Sequence, residues 1–186
     1  GDGYGPKLVA RDRLELQEFF ESNPSIAVPG DRTTALATLR ILAQDHPMEW
    51  TSMDFTKIMD AVVDHQFDAG VVIHEGQLTF EEHGLHEICD FGQWWQHRTG
   101  LLLPLGGNAI RSDFDIRFGE GTTEQMTNLL KKSIEYAMDN REKSLQWAAK
   151  WGRGIDMQST DRFVEMYVNK WTLDFGEGGR ESVKRF

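Results

Sequence analysis

Between Ser25 and Ile73 the chain alternates short apolar runs with amphipathic stretches, and that rhythm leaves few folds open. Ser25 to Val28 reads as a strand. Pro29-Gly30-Asp31 is a tight turn into an amphipathic helix from about Thr33 to Gln44, with apolar Leu36, Leu39, Ile41 and Leu42, and His46-Pro47 ends it. Glu49 to Met53 is a weak strand. Asp54 is a candidate N-cap for a helix from Phe55 to His65, whose Ile58, Met59, Val62 and Val63 form one stripe. Ala69 to Ile73 has the length and β-branched content of a buried strand. Strand, helix, strand, helix, strand at this spacing builds βαβ units in a mainly parallel sheet, so the fold class is α/β.

The flanks read differently. Lys7 to Ala10 forms a short strand and Arg13 to Glu21 a helix, broken by Asn23-Pro24. After Gly106 a strand is expected over Asn108 to Arg111. From Thr122 to about Trp151 the pattern is helical, carried by Met126, Leu129, Leu130, Ile134, Ala137, Leu145 and Trp147. A break at Gly152-Arg153-Gly154 precedes a helix from Thr160 to Lys170, and a Gly-rich loop leads into a short helix from Gly178 to Phe186.

At 186 residues the chain is long enough for one good-sized domain or two small lobes. A net charge of −10 without a basic stripe argues against a nucleic-acid partner, and Lys131-Lys132 is an isolated pair on a solvated helix face. No run reaches the roughly 18 apolar residues of a membrane helix. No secretory signal opens the sequence, and the single cysteine, Cys89, forbids an internal disulfide. A cytoplasmic location is the expectation. Cys89 lies in the apolar-flanked run from Glu87 to Phe91, which points to an inert strand thiol.

Several side chains are placed for chemistry. His74-Glu75-Gly76 follows directly on the strand at Ala69, and ligands in open α/β sheets bind at the carboxyl ends of strands. His74 is thus either a reactive imidazole or a core histidine bonded to backbone. Thr33 and Thr34 open a helix, whose first turn offers unpaired N–H groups and the positive end of the dipole to an anion; one of them could equally be a cap. Asp31 and Arg32 read as a solvated pair. Of Trp94 and Trp95 only one can face a core, and Arg98 either meets a carboxylate or caps its helix before Gly100. His83 and His86 beside Glu81, Glu82 and Glu87 match no standard zinc spacing, so no metal is expected. Gly176-Glu177-Gly178-Gly179 lacks the Lys-Ser/Thr of a phosphate loop and more simply starts the last helix.

Motifs in order then carry a resemblance. Ile73-His74-Glu75, an aromatic turn at Phe80, Asp90-Phe91-Gly92, Trp94-Trp95, Arg98-Thr99-Gly100 and Leu103-Pro104-Leu105-Gly106 resemble the 1,4-dihydroxy-6-naphthoate synthase family, the lyase of the futalosine route to menaquinone. Pro29 to Ala35 looks like that family's substrate-binding turn, Gly3 to Ala10 like its hinge, and Tyr167-Val168-Asn169 and Leu173 to Gly176 also fit.

The resemblance implies a two-lobed, type II periplasmic-binding-protein-like fold with the ligand between the lobes. Residues 1–21 would be the entry and hinge segment, 22–107 the inserted α/β lobe, and 108–186 the return segment and helical part of the first lobe. The N-terminal part of that first lobe would be missing, and the incomplete lobe is expected to favour self-association.

The implied activity converts cyclic dehypoxanthinylfutalosine, a carboxylate-bearing substrate, to 1,4-dihydroxy-6-naphthoate with release of a three-carbon fragment. His74 would be the base, with Glu75 orienting it. Thr33 and Thr34 would anchor the carboxylate, and no metal or cofactor is implied. A non-catalytic solute-binding protein and the sister chorismate dehydratase are the alternatives on the same fold.

Overall fold

Strands that are covered on both faces read as unbroken apolar runs, and three of the strands here are of that kind. The computed structural model describes residues 1–44, 46–151 and 156–186. The expected break at Gly152-Arg153-Gly154 lies outside the described residues. The chain divides into two compact units, Gly1–Leu105 with Glu181–Phe186, and Gly106–Arg180.

In chain order the first unit contains β1 (Lys7–Ala10), α1 (Leu16–Glu21), β2 (Ser25–Val28), α2 (Thr34–Ala43) and β3 (Glu49–Ser52). A 3-10 turn, Phe55–Lys57, leads into α3 (Ile58–Val63) and β4 (Ala69–Val72). Then come α4 (Gly76–Thr79), a second 3-10 turn at Phe80–His83, β5 (His86–Asp90) and α5 (Phe91–Thr99). The strands form one sheet in the order β3-β2-β4-β1-β5. β2 is parallel to both β3 and β4, whereas β1 is antiparallel to both β4 and β5. Four strands therefore share a direction, as expected of a mainly parallel sheet, and the inner strand β1 opposes them.

Period-two alternation sends each strand's side chains to two separate cores. Leu8, Ala10, Ile26, Val28, Ala69 and Val71 meet Phe19 and Phe20 of α1, Leu36, Leu39 and Leu42 of α2, and Phe91 and Trp95 of α5. Val9, Ala27 and Val72 point the other way, onto Ile58 and Val62 of α3 with Phe80 and Leu85. Trp95 is the core-facing member of the tryptophan doublet. Its Nε1 donates to Ser182 Oγ at 3.3 Å, and its ring meets Phe186 edge-on at 5.5 Å.

The second unit is helical: α6 (Phe114–Phe118), α7 (Thr122–Asp139), α8 (Arg141–Ala148), a 3-10 turn at Ala149–Trp151, α9 (Met157–Tyr167) and α10 (Lys170–Leu173). The last helix, α11 (Gly176–Arg185), takes in the four residues Gly176-Glu177-Gly178-Gly179. Thr160 is the one buried residue among those described in Gly106–Arg180, while Ile116 is 87% and Trp151 74% exposed. No helix among the described residues is long and apolar enough to cross a membrane.

Three expectations are corrected here. The strand anticipated over 108–111 is an extended loop, because Ala109 and Ile110 offer too little apolar surface between polar and glycine neighbours. The helical stretch read from Thr122 to about Trp151 is divided at Asn140, whose backbone leaves the helix at φ −117° and ψ 47° and whose side-chain amide joins its own N–H on Tyr136 O, each at 2.9 Å. The helix anticipated from Thr160 to Lys170 begins earlier, at the Asp156 cap that accepts from Ser159 N at 2.7 Å. It stops before Asn169, which caps α10 through a reciprocal pair with Thr172.

Gly70 marks where α3 lies hardest against the sheet. A Cβ there would run into Ile58 Cγ2 and reach 3.0 Å from Val62 Cγ2. Gly70→Ala is expected to cost about 1–3 kcal/mol by overpacking, read as a lower urea midpoint at unchanged m. In an Ile58→Ala background the same change should cost less, since the two sites are in contact. Equal costs in both backgrounds would refute the close approach.

Candidate active site

Because β2, β3 and β4 run in one direction, their carboxyl ends meet at one edge of the sheet. The register sets Val28 beside Ser52, and β4 continues from its Ile26–Ala69 pairing to end at Val72. The opposed strand β1 begins at this same edge, with Lys7 opposite both Val72 and Asp90. Edges of this kind are where open α/β sheets bind ligands.

The turn after β2 carries the first candidates. Gly30 has φ 145°, a conformation that side chains rarely adopt, and lets the chain fold back into α2. Thr33 is the cap: its hydroxyl donates to Gly30 O at 2.8 Å and accepts from Leu36 N at 3.1 Å. Thr34 is the first helical residue, and its carbonyl accepts from Thr38 Oγ1 at 2.7 Å. Its own half-buried hydroxyl has no partner among the described residues. The two threonines thus divide the roles left open by the sequence, one holding the helix end and the other available beside the free N–H groups. Asp31 is not merely solvated, since it accepts a short hydrogen bond from Ser52 Oγ at the end of β3. Arg32 is exposed.

The turn after β4 carries the histidine. His74 is exposed, so it is not a core residue, and its φ of 52° lies in the left-handed region that costs a non-glycine residue energy. Its carbonyl accepts from Gln77 N at 3.2 Å, closing the turn into α4. Its ring lies against Phe55, with centroids 4.8 Å apart and planes tilted by 39°. Glu75 is half-buried, and its carbonyl accepts from Leu78 N at 2.9 Å. α2 and His74 follow neighbouring strands, so Thr33, Thr34 and His74 lie at the same edge of the sheet.

An ion-pair cluster occupies the β1–β5 end of the edge. Lys7 Nζ donates to Glu87 Oε2 at 2.5 Å and to Asp90 Oδ2 at 2.8 Å. Asp90 has a side chain only 2% exposed, and its other oxygen caps α5 by accepting from Gly92 N at 2.9 Å and Gln93 N at 3.1 Å. Burial works to lower the Lys7 ammonium, yet hydrogen bonds to Asp90 and Glu87 and their charges outweigh it and hold it above the ordinary lysine value. Burial in β5, with the charges of Asp90 and Glu87, pushes the Cys89 thiol up to about 12, so it is the inert thiol expected and not a nucleophile.

The remaining candidates lie elsewhere. Arg98 sits over the Trp94 ring at 5.6 Å. His83 Nδ1 is 3.9 Å from Asp60 Oδ1, and no group of three or more His, Cys, Asp or Glu among the described residues is arranged to hold a metal. Sequence reasoning missed Lys7, Ser52 and Phe55. A lone lysine opening an apolar strand, with an acidic pair in a later one, was the available signal for the first. Phe55 was read only as the start of a helix.

A sheet of four parallel strands and one opposed inner strand, helices on both faces and polar groups gathered at the carboxyl edge define a periplasmic-binding-protein-like fold. The ligand-binding component of an ABC-type import system from Staphylococcus aureus shares it at TM-score 0.58 and 14% identity, over 86% of this chain and 55% of that one. A putative periplasmic sulfonate-binding protein from Methylobacillus flagellatus does so at 0.60 and 15%, over 90% and 51%. The chain belongs to the menaquinone biosynthesis family, which residues 1–186 match.

It is 34% identical over 186 residues to a 1,4-dihydroxy-6-naphthoate synthase of Thermus thermophilus, covering 100% of this chain. It is 32% identical over 189 residues to one of Streptomyces coelicolor, covering 99% of this chain. The chain spans 64% of the length of each of these curated relatives. A crystal structure of a protein from Archaeoglobus fulgidus superposes at TM-score 0.89 with 37% identity, over 100% of this chain and 66% of that one.

Both the raised lysine and the raised thiol make the fold alkali-sensitive. The Lys7 contribution is fully present below the ordinary lysine pKa of about 10.4 and is lost as pH rises through its higher folded value. Cys89 weakens the fold from about pH 8.5 upward, where the unfolded thiol ionises and the folded one does not. Urea midpoints should fall between about pH 8 and pH 11, and Cys89→Ala should flatten that fall by up to about 1.4 kcal/mol per pH unit. An unchanged slope would overturn the assignment of a buried thiol.

Proposed function

We propose that the chain carries part of a 1,4-dihydroxy-6-naphthoate synthase, a lyase acting on cyclic dehypoxanthinylfutalosine, with His74 as its base. The observation that carries the reading is an exposed histidine in a left-handed turn at the same sheet edge as the open end of α2. The names of the relatives support the product.

A neutral imidazole accepts a proton through its unprotonated ring nitrogen. Proton removal starts the carbon–carbon cleavage that releases the three-carbon fragment. Aromatisation of the naphthoate drives it. The substrate carboxylate sits at the first turn of α2, where backbone N–H groups, the helix dipole and the Thr34 hydroxyl offer donors. Thr33 serves by shaping that turn, and Glu75 orients His74. The division into a hinge at 1–21, an inserted lobe at 22–107 and a first-lobe portion at 108–186 belongs to this reading, as does a cytoplasmic location.

Two substitutions in the intact protein separate the roles. His74→Asn should lower turnover by roughly 10²–10⁴-fold, the contribution of a positioned base, with little change in ligand affinity. Thr34→Val should weaken binding by roughly 1.5–3 kcal/mol, one hydrogen bond to a charged group, and spare turnover at saturation. Unchanged product formation by His74→Asn would overturn the mechanism, and ligand binding without turnover by the intact protein would favour a receptor.

Exposed Ile116, Leu129, Trp147 and Trp151 on the second unit support self-association of this 186-residue chain. Light scattering should show a mass that rises with concentration. A monomer throughout would refute it.

A further inference from the structure

Edge strand β3 buries almost nothing, since all four of its residues are exposed. Beyond its ladder with β2, its contribution lies in what its carboxyl end holds. Ser52 Oγ donates to the Asp31 carboxylate, in the turn that presents α2. Phe55 lies against the His74 ring at 4.8 Å and is seated at its other side on the α3-face core. We propose that Ser52 and Phe55 are positioning residues of this site, Ser52 fixing the anion-binding turn through Asp31 and Phe55 fixing the imidazole of His74. The inference rests on the lyase reading for its kinetic consequences, but the two contacts are testable without it.

The segment is built to hold position. Met53 N donates to Val28 O at 3.0 Å, continuing the β2–β3 ladder past the strand's end. Asp54 Oδ1 then accepts from Thr56 N at 3.0 Å and Thr56 Oγ1 at 2.8 Å, pinning the turn on which Phe55 sits. His74, by contrast, is exposed and held in a conformation of raised energy, and no core packing of its own requires it. Strain at an exposed turn persists where surrounding contacts impose it. One short segment thus touches both the turn that leads into the anchor and the base, and tying them to one support steadies their spacing, on which proton transfer depends.

The two roles predict opposite kinetic signatures in the intact protein. Ser52→Ala should raise KM by roughly three- to tenfold, with kcat held within about twofold, as one hydrogen bond to the turn is lost. Phe55→Leu should lower kcat by about tenfold or more, with KM held within about twofold, and Phe55→Tyr should restore it. Equal losses in kcat and KM for both variants, tracking a lowered Tm, would mean a merely structural segment and overturn the proposal.

Two measurements need no turnover. In wild-type protein, the His74 ring protons, assigned by their loss in His74→Asn, should be displaced by the Phe55 ring current, and Phe55→Leu should remove that displacement. Affinity for 2-naphthoate, a bare aromatic carboxylate, should fall in Ser52→Ala and not in Phe55→Leu. If the intact protein has no lyase activity, the lyase reading fails and these two arms still decide the inference. Wild-type His74 resonances at the positions of the other exposed histidines would overturn Phe55's role even if Phe55→Leu does not fold. Unchanged 2-naphthoate affinity in Ser52→Ala would overturn that of Ser52.

Discussion

A strand that is hydrogen-bonded along both edges and covered on both faces leaves no polar group to water, so whatever charge it carries must be met inside the fold. β1 is such a strand. It runs against the direction of the other four, and among the described residues it alone joins β4 to β5. Leu8, Val9 and Ala10 supply apolar contact to both cores, and Lys7 supplies the charge. Glu87 and Asp90 meet that charge from the neighbouring strand, and Asp90 in turn caps α5. This ion-pair cluster thereby ties β1 to β5 and to the start of the helix that follows. Removing Lys7 is costly because Asp90, with a side chain only 2% exposed, loses its cation.

The same arrangement explains what could be read in the sequence. Ser25–Val28 and Ala69–Val72 are short, apolar and flanked by turn residues, and the helices between them show a one-sided stripe, so element type and order were legible. The opposed direction of β1 was not. An apolar run carries no mark of whether its neighbour is parallel or antiparallel, and the Lys7–Ala10 run reads as an entry segment until its partners are known. In the helical part, Asn140 and Asn169 are ordinary helix residues by periodicity. They act as breaks because their side chains bond the backbone locally, a competition that depends on geometry more than pattern. The strand anticipated at 108–111 failed for the converse reason, since β-propensity has no meaning without a partner surface.

The candidate site was legible in its residue types and only partly in its roles. His74 stood out because it follows a buried strand, and its exposure agrees with a residue kept for contact with something other than the core. Adjacent Thr33 and Thr34 could not be ranked by spacing alone; the hydrogen bonds of Thr33 commit it to the cap and leave Thr34 as the available hydroxyl. Phe55 and Ser52 gave no signal because their significance lies in partners more than twenty positions or nearly so away along the chain, His74 for one and Asp31 for the other.

A proton-abstracting site and a receptor site on this fold ask for different things from that edge. A receptor needs donors for its anion, which the first turn of α2 provides by itself, and it gains nothing from a strained residue nearby. A base must be held at a set distance from the anchored ligand, and held there before the ligand arrives, because orienting it afterwards would add to the barrier. His74 is set in a left-handed turn that costs energy and is braced by an aromatic ring whose own turn is pinned by Asp54. A left-handed turn alone does not mark a task, since exposed His65 also has φ 59°. The aromatic brace on His74, supplied from the segment that also steadies the anion-binding turn, is the feature of this edge that binding alone leaves unexplained.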